Sequence, residues 1–95
     1  MTNNFNEAVQ SQISAFIYVI EVGEKFAWFA IDPFEQSHYI DWYKNKEGVE
    51  VPIRFKSRER ANKRAEYVLG TNQHWLGMAK GMASEYIKYH KASNG

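Results

Sequence analysis

The side chains able to do acid/base or metal-assisted chemistry are few and scattered: His38, His74 and His90, with the carboxylates Asp32, Glu35, Asp41 and Glu50. No two histidines stand at the spacing that puts two ligands on one helix face, and no GxGxxG, GxxxxGK(S/T) or HExxH occurs. His38 with Glu35 and Asp41 is the one local cluster that could exchange protons, and it reads as a surface cluster without chemical consequence. Asp32, Asp41 and Glu50 could hold a divalent ion for nuclease chemistry only if the fold made them converge. The absence of cysteine removes thiolate nucleophiles, thiolate metal sites and disulfides. The expectation is a non-enzymatic protein with no cofactor and no metal.

Charge is a more specific feature. Net charge is +1, yet residues 1–50 hold three basic and eight acidic side chains and residues 51–95 hold nine basic and three acidic. The run Arg54-Phe-Lys-Ser-Arg-Glu-Arg-Ala-Asn-Lys-Arg64 carries six basic residues against one glutamate. On a helix starting near Ser57, Arg60, Lys63, Arg64 and Tyr67 share the side opposite Ala61 and Ala65. Arg54 and Lys56 lie on the wet face of the preceding strand. Together these form a candidate patch for phosphates or for an acidic protein partner. Local pairing with Glu59 and Glu66 would make the same residues an ordinary solvated face.

The segment Asp32-Pro-Phe-Glu-Gln-Ser-His-Tyr-Ile-Asp-Trp-Tyr43 adds acidic residues and the aromatics Phe34, Tyr39, Trp42 and Tyr43. Aromatic side chains of this kind anchor protein interfaces. They could instead cap the open end of a core, a role that suits Trp42 better than Phe34 or Tyr39.

Further along, Trp75 to Tyr86 reads as a helix despite Gly77 and Gly81, each of which weakens a helix interior by about 1 kcal/mol relative to alanine. At 100° per residue, Trp75, Leu76, Met78, Ala79, Met82, Ala83, Tyr86, Ile87 and Tyr89 form its core half, with His90 at the border. The glycines fall on the other half with Lys80, Ser84, Lys88 and Lys91. That surface could admit a partner's backbone between Lys80 and Lys88, or the glycines could be a tolerated cost.

These candidates need a scaffold. Ile13 to Val22, rich in β-branched and aromatic residues on both alternating faces, predicts a central strand. Gly23-Glu24-Lys25 connects it to a second strand, Phe26 to Ile31, as a hairpin ended by Asp32-Pro33. A third strand is expected over His38–Tyr43. A fourth over Val49–Phe55 would bury Val49, Val51, Ile53 and Phe55, with Pro52 placing it at an edge. Ser57 can cap a helix that stops at Gly70, and Thr71 or Asn72 can cap a second from about Gln73 to His90 or Lys91. The fold class is α+β: a small antiparallel sheet of three or four strands followed by two helices packed on one face.

The chain of 95 residues, 44% hydrophobic and 16% aromatic, fits one globular domain, with residues 1–10 and 92–95 loosely held. The N-terminal residues lack the pattern of a signal peptide, and the longest apolar run, Ala15–Ile20, is far too short to span a bilayer, so a cytoplasmic protein is expected. The strand–Ser–helix pattern of Phe55-Lys-Ser-Arg-Glu-Arg-Ala61 resembles the end of the small β-β-β-α DNA-binding domains found at the start of phage integrases. At the level of profile, without residue correspondences, the whole chain is similar to the small cysteine-free accessory and inhibitor proteins of phages and mobile elements. The reading that follows is a binding protein that masks or recruits a protein partner, such as a nucleic-acid-processing enzyme. The alternative is a nucleic-acid-binding domain centred on Arg54, Lys56, Arg58, Arg60, Lys63 and Arg64.

Overall fold

The computed structural model describes residues 3–35 and 38–94, with side chains described for 5–35 and 38–89. The chain is α+β. Helix α1 (Asn3–Phe16) precedes strands β1 (Ile17–Val22), β2 (Lys25–Ile31), β3 (His38–Ile40), β4 (Trp42–Lys44) and β5 (Glu50–Pro52), and helices α2 (Arg58–Thr71) and α3 (Gln73–Asn94) follow. Two compact units result, one of Met1–Ala15 with Val68–Gly95, the other of Phe16–Tyr67.

The first unit is helical. Phe5, Val9 and Ile13 recur every fourth residue on one stripe of α1, and Val9 and Ile13 are buried. This corrects the expected strand: Ile13–Phe16 is the last turn of α1, and the strand begins at Ile17. The helix also starts at Asn3, inside the segment expected to be loosely held; Met1, Thr2 and Gly95 lie outside the described residues. Leu69, Trp75, Ala79 and Ala83 are the other buried apolar residues of this unit, and Ile13 Cδ1 lies 4.0 Å from where a Cβ on Gly70 would stand. Gly70 is therefore inside α2, not its stop. Asn72 separates the helices: its amide donates to the Leu69 carbonyl at 3.2 Å, and its Oδ1 caps α3 by accepting from His74 N at 2.9 Å and Trp75 N at 3.2 Å. Tyr86 and Tyr89, expected on the core half of α3, are 54% and 71% exposed. Among the described side chains of α3, the buried ones, Trp75, Ala79 and Ala83, lie in its first three turns, and Ile87 beyond them is half-buried. The His90 side chain lies outside those described.

In the second unit the sheet order is β1-β2-β3, antiparallel throughout. β2, with Ala27, Trp28 and Ala30 buried, is the central strand, whereas β1 is outermost and leaves Tyr18 and Ile20 exposed. The expected central position of the first strand is corrected: alternation on both faces of β1 reflects one packed face and one open apolar face. Lys25, expected in the turn, pairs with Val22 as the first residue of β2, leaving a two-residue loop whose Gly23 has φ 67°.

The third strand is broken. His38–Ile40 pairs with β2, and after Asp41 the chain turns into β4, which pairs with β5 in a separate two-stranded ribbon. The expected strand over Val49–Phe55 is reduced to Glu50–Pro52, and Val49 is exposed. Asn45 builds the ribbon's loop: its Oδ1 accepts from Glu47 N and Val49 N at 3.0 Å each, its amide donates to the Val49 carbonyl at 2.9 Å, and Gly48 takes φ 78°. Beyond β5 the chain returns to the main sheet. Phe26 N donates to the Phe55 carbonyl at 2.9 Å, and Phe55 N donates to the Phe26 carbonyl at 2.7 Å.

Ser57 then caps α2, its Oγ accepting from Arg60 N at 3.1 Å, and Ala61 and Ala65 are fully buried. Arg58, in the first turn, reaches β1: Nη1 donates to the Val19 carbonyl at 2.9 Å, and the guanidinium lies 5.1 Å from the Phe26 ring centre.

Backbone conformation separates the glycines into two kinds. Gly23→Ala should lower stability by about 1–2 kcal/mol, because a Cβ is strained at its left-handed φ. At Gly77 and Gly81 a Cβ would meet nothing within 4 Å, so alanine at each should raise stability by about 0.5–1 kcal/mol. Urea unfolding midpoints of the three variants check both signs.

Candidate functional site

The candidate residues fall into three groups. Phe34, Tyr39 and Trp42 belong to the β2–β3 connection and the strands after it. Arg54 and Lys56 flank Phe55, and Arg60, Lys63, Arg64 and Tyr67 lie on the solvent side of α2. All of these are in the second unit, whereas Lys80 and Lys88 are exposed on α3 in the first.

Among the aromatics, Phe34 is 68% exposed and is held by its backbone: the Asp32 carboxylate accepts from Phe34 N at 2.8 Å and Glu35 N at 3.1 Å. A turn bonded in this way presents an exposed ring at low entropic cost. Tyr39 behaves differently, half-buried and stacked on the buried Trp28 at 5.7 Å between ring centres. It is packing rather than anchor. Trp42 is 45% exposed and pairs with Pro52; its neighbour Tyr43, on the opposite face of the ribbon, is 52% exposed. The core-capping role therefore belongs to Tyr39, and the open aromatic surface to Phe34, Trp42 and Tyr43.

The basic residues divide by their partners. Arg64 Nε donates to Oδ2 of the nearly buried Asp41 at 3.3 Å, and its guanidinium lies 5.8 Å from the Tyr67 ring centre. Lys63 pairs with Glu59 at 3.3 Å one turn away, both side chains well exposed. Arg58 is tied to β1 and lies 3.8 Å from Glu21. Arg54, Lys56 and Arg60 are exposed and enter no ion pair among the described residues. The single basic patch expected from the sequence is thus interrupted by local acids.

Arg54 has a neighbour that the sequence pattern did not supply. It lines an open cleft of about 490 Å³ with Lys25, Tyr43, Asn45, Val51, Pro52 and Ile53. In sequence Lys25 reads as part of the Gly23-Glu24-Lys25 connection. The available signal is the two-residue spacing between Val22 and Lys25, which makes lysine the first residue of the returning strand.

Of the carboxylates considered for catalysis, Asp32 and Asp41 make structural contacts. Asp32 is 1% exposed and holds its turn, while Asp41 is tied to Arg64. Glu50 is exposed on β5, and His38 packs its ring 6.5 Å from that of Phe29.

No protein-family model matches the chain, and neither the curated proteins nor the solved structures contain a match to it.

The two α2 ion pairs differ in what their loss would leave behind. Arg64→Gln removes the charge partner of a carboxylate that stays inside, and should cost about 1–2 kcal/mol. Lys63→Gln breaks an exposed pair one turn apart and should cost at most about 0.5 kcal/mol. Chemical denaturation of the two variants compares them directly.

Proposed function

We propose that this is a non-enzymatic binding protein that masks or recruits a protein partner through the aromatic surface of its sheet-bearing unit. The supporting observation is that Phe34, Trp42 and Tyr43 stay 45–68% exposed although their backbones are fixed by a bonded turn and a paired ribbon. Desolvating large rings on a pre-ordered backbone is a strong source of affinity per residue in protein interfaces. An accessory or inhibitor protein would use such a surface to cover or dock onto a larger protein. No helix among the described residues is long and apolar enough to cross a membrane.

Nucleic-acid binding is the second reading, favoured by Arg54, Lys56 and Arg60, which are exposed and enter no ion pair among the described residues. Against it, Arg58, Lys63 and Arg64 have acidic neighbours at 3.3–3.8 Å, which reduces the counterion release that drives phosphate binding.

Affinity capture from the native host's lysate, with and without nuclease, distinguishes the two. The proposal predicts a stoichiometric protein that survives nuclease. Phe34→Ala and Trp42→Ala should each weaken its capture by about tenfold or more, with the melting temperature unchanged. Recovery of nucleic acid alone, or of proteins lost on nuclease treatment, would replace the first reading by the second.

A further inference from the structure

Register explains why Lys25 and Arg54 share a cleft. Phe26 and Phe55 are directly opposed across an antiparallel pair, so their side chains lie on one face of the sheet. The residues next to them in sequence, Lys25 on β2 and Arg54 on the returning strand, therefore project to the other face. In that register Lys25 stands opposite Lys56 and Arg54 opposite Ala27, so Lys25 and Arg54 lie diagonally across the pair on one face, two cations from segments far apart in the sequence brought to one cleft by a reciprocal pair of backbone hydrogen bonds. Neither takes part in an ion pair among the described residues.

The rest of the lining is consistent with an anion as occupant. Tyr43 brings a phenol, and the side-chain oxygen of Asn45 is already used by Glu47 N and Val49 N, leaving its NH₂ group as a donor. Val51 and Ile53 supply apolar floor, and Pro52 has no amide hydrogen. No carboxylate lines the cleft, yet exposed Glu24, Glu47 and Glu50 lie on the adjoining turn, loop and strand. A polyphosphate strand crossing the cleft would meet these charges. A short segment carrying one or two carboxylates would not need to.

We propose that the cleft between Lys25 and Arg54 docks an acidic segment of the protein partner, with a carboxylate on the two cations and an adjoining apolar side chain against Tyr43 and Val51. The inference rests on the protein-binding reading and specifies the chemistry of what is bound. Arg54 supplies a planar fork suited to bidentate carboxylate contact, and Lys25 a second charge from across the cleft. A cleft of about 490 Å³ accommodates one or two side chains rather than a folded element.

Random-peptide display panned on the full chain supplies the probe, and the most enriched peptide, labelled with a fluorophore, is titrated by anisotropy. The expected peptides place Asp or Glu beside an aromatic or aliphatic residue. Their affinity should fall about tenfold or more when Lys25→Gln and Arg54→Gln are combined, or when the peptide's acids become amides. Arg54→Lys should fall between wild type and the double variant, and Lys63→Gln should bind as wild type. Both substituted positions are exposed, so circular dichroism should be unchanged. Failure to enrich acidic peptides, or equal binding by the double variant, would overturn the cleft assignment while leaving a partner captured through Phe34 and Trp42 intact. If a single-stranded oligonucleotide bound instead, and the double variant lost it, both the cleft assignment and the protein-partner reading would fall.

Discussion

The arrangement of the sheet-bearing unit depends on one pair of backbone hydrogen bonds, those exchanged by Phe26 and Phe55. Each such bond contributes only about 0.5–1.5 kcal/mol net, but their position matters more than their sum. After β3 the chain leaves the main sheet at Asp41, and the β4–β5 ribbon pairs only with itself. The Phe26–Phe55 pair returns the chain to β2 just before Ser57 opens α2. Further links act on either side: Ile53 N donates to the Asp41 carbonyl at 2.8 Å, Arg58 reaches the Val19 carbonyl and the Phe26 ring, and Arg64 holds Asp41. A two-stranded ribbon is marginal alone. Closed at this point, it becomes a fixed platform.

That closure bears on function through charge. The basic segment looks continuous in sequence because every residue between Arg54 and Arg64 is counted alike. In three dimensions a strand and a helix turn these residues in different directions, and acids from β1, the β3–β4 junction and α2 itself meet three of them. Arg58 and Arg64 act as cross-links, Lys63 is a solvated partner of Glu59, and Arg54 lines a cleft with Lys25. A uniform basic face would favour phosphate tracking. A divided one favours discrete recognition.

Much of the scaffold was legible because local chemistry and fold agree. The β1–β2 hairpin, the Ser57 cap, the Asn72 cap and the α+β order follow from turn residues, capping residues and apolar periodicity. The N-terminal helix was obscured by Ile13-Ser-Ala-Phe-Ile-Tyr-Val-Ile20, where the last helical turn runs directly into the strand and β-branched residues dominate both. The spacing of Phe5, Val9 and Ile13 carried the helical period. The edge position of β1 was not legible, since an open face lined by Tyr18 and Ile20 has the same residue types as a covered one. The break at Asp41 was equally hidden, and the arginine that pairs with Asp41 there comes from α2, twenty-three residues later. Of the candidate site, the exposure of Phe34 and the presence of the cations were readable, but not which side chains the fold would engage: Tyr39 rather than Trp42 packs inward, stacked on Trp28, and Arg64 pairs with Asp41. Gly77 and Gly81 face open space, as their helical phase implied.

Amide hydrogen exchange at Phe26 and Phe55 is the most direct test of this account, because those two protons report on the closure and on little else. The closure predicts that both are strongly protected and exchange at similar rates, alongside Ile53. Exchange of the Phe55 amide at the rate of an unstructured peptide, with Ala30 still protected, would mean that the ribbon and the start of α2 are not fastened to the sheet. The cleft between Lys25 and Arg54 would then have no fixed geometry.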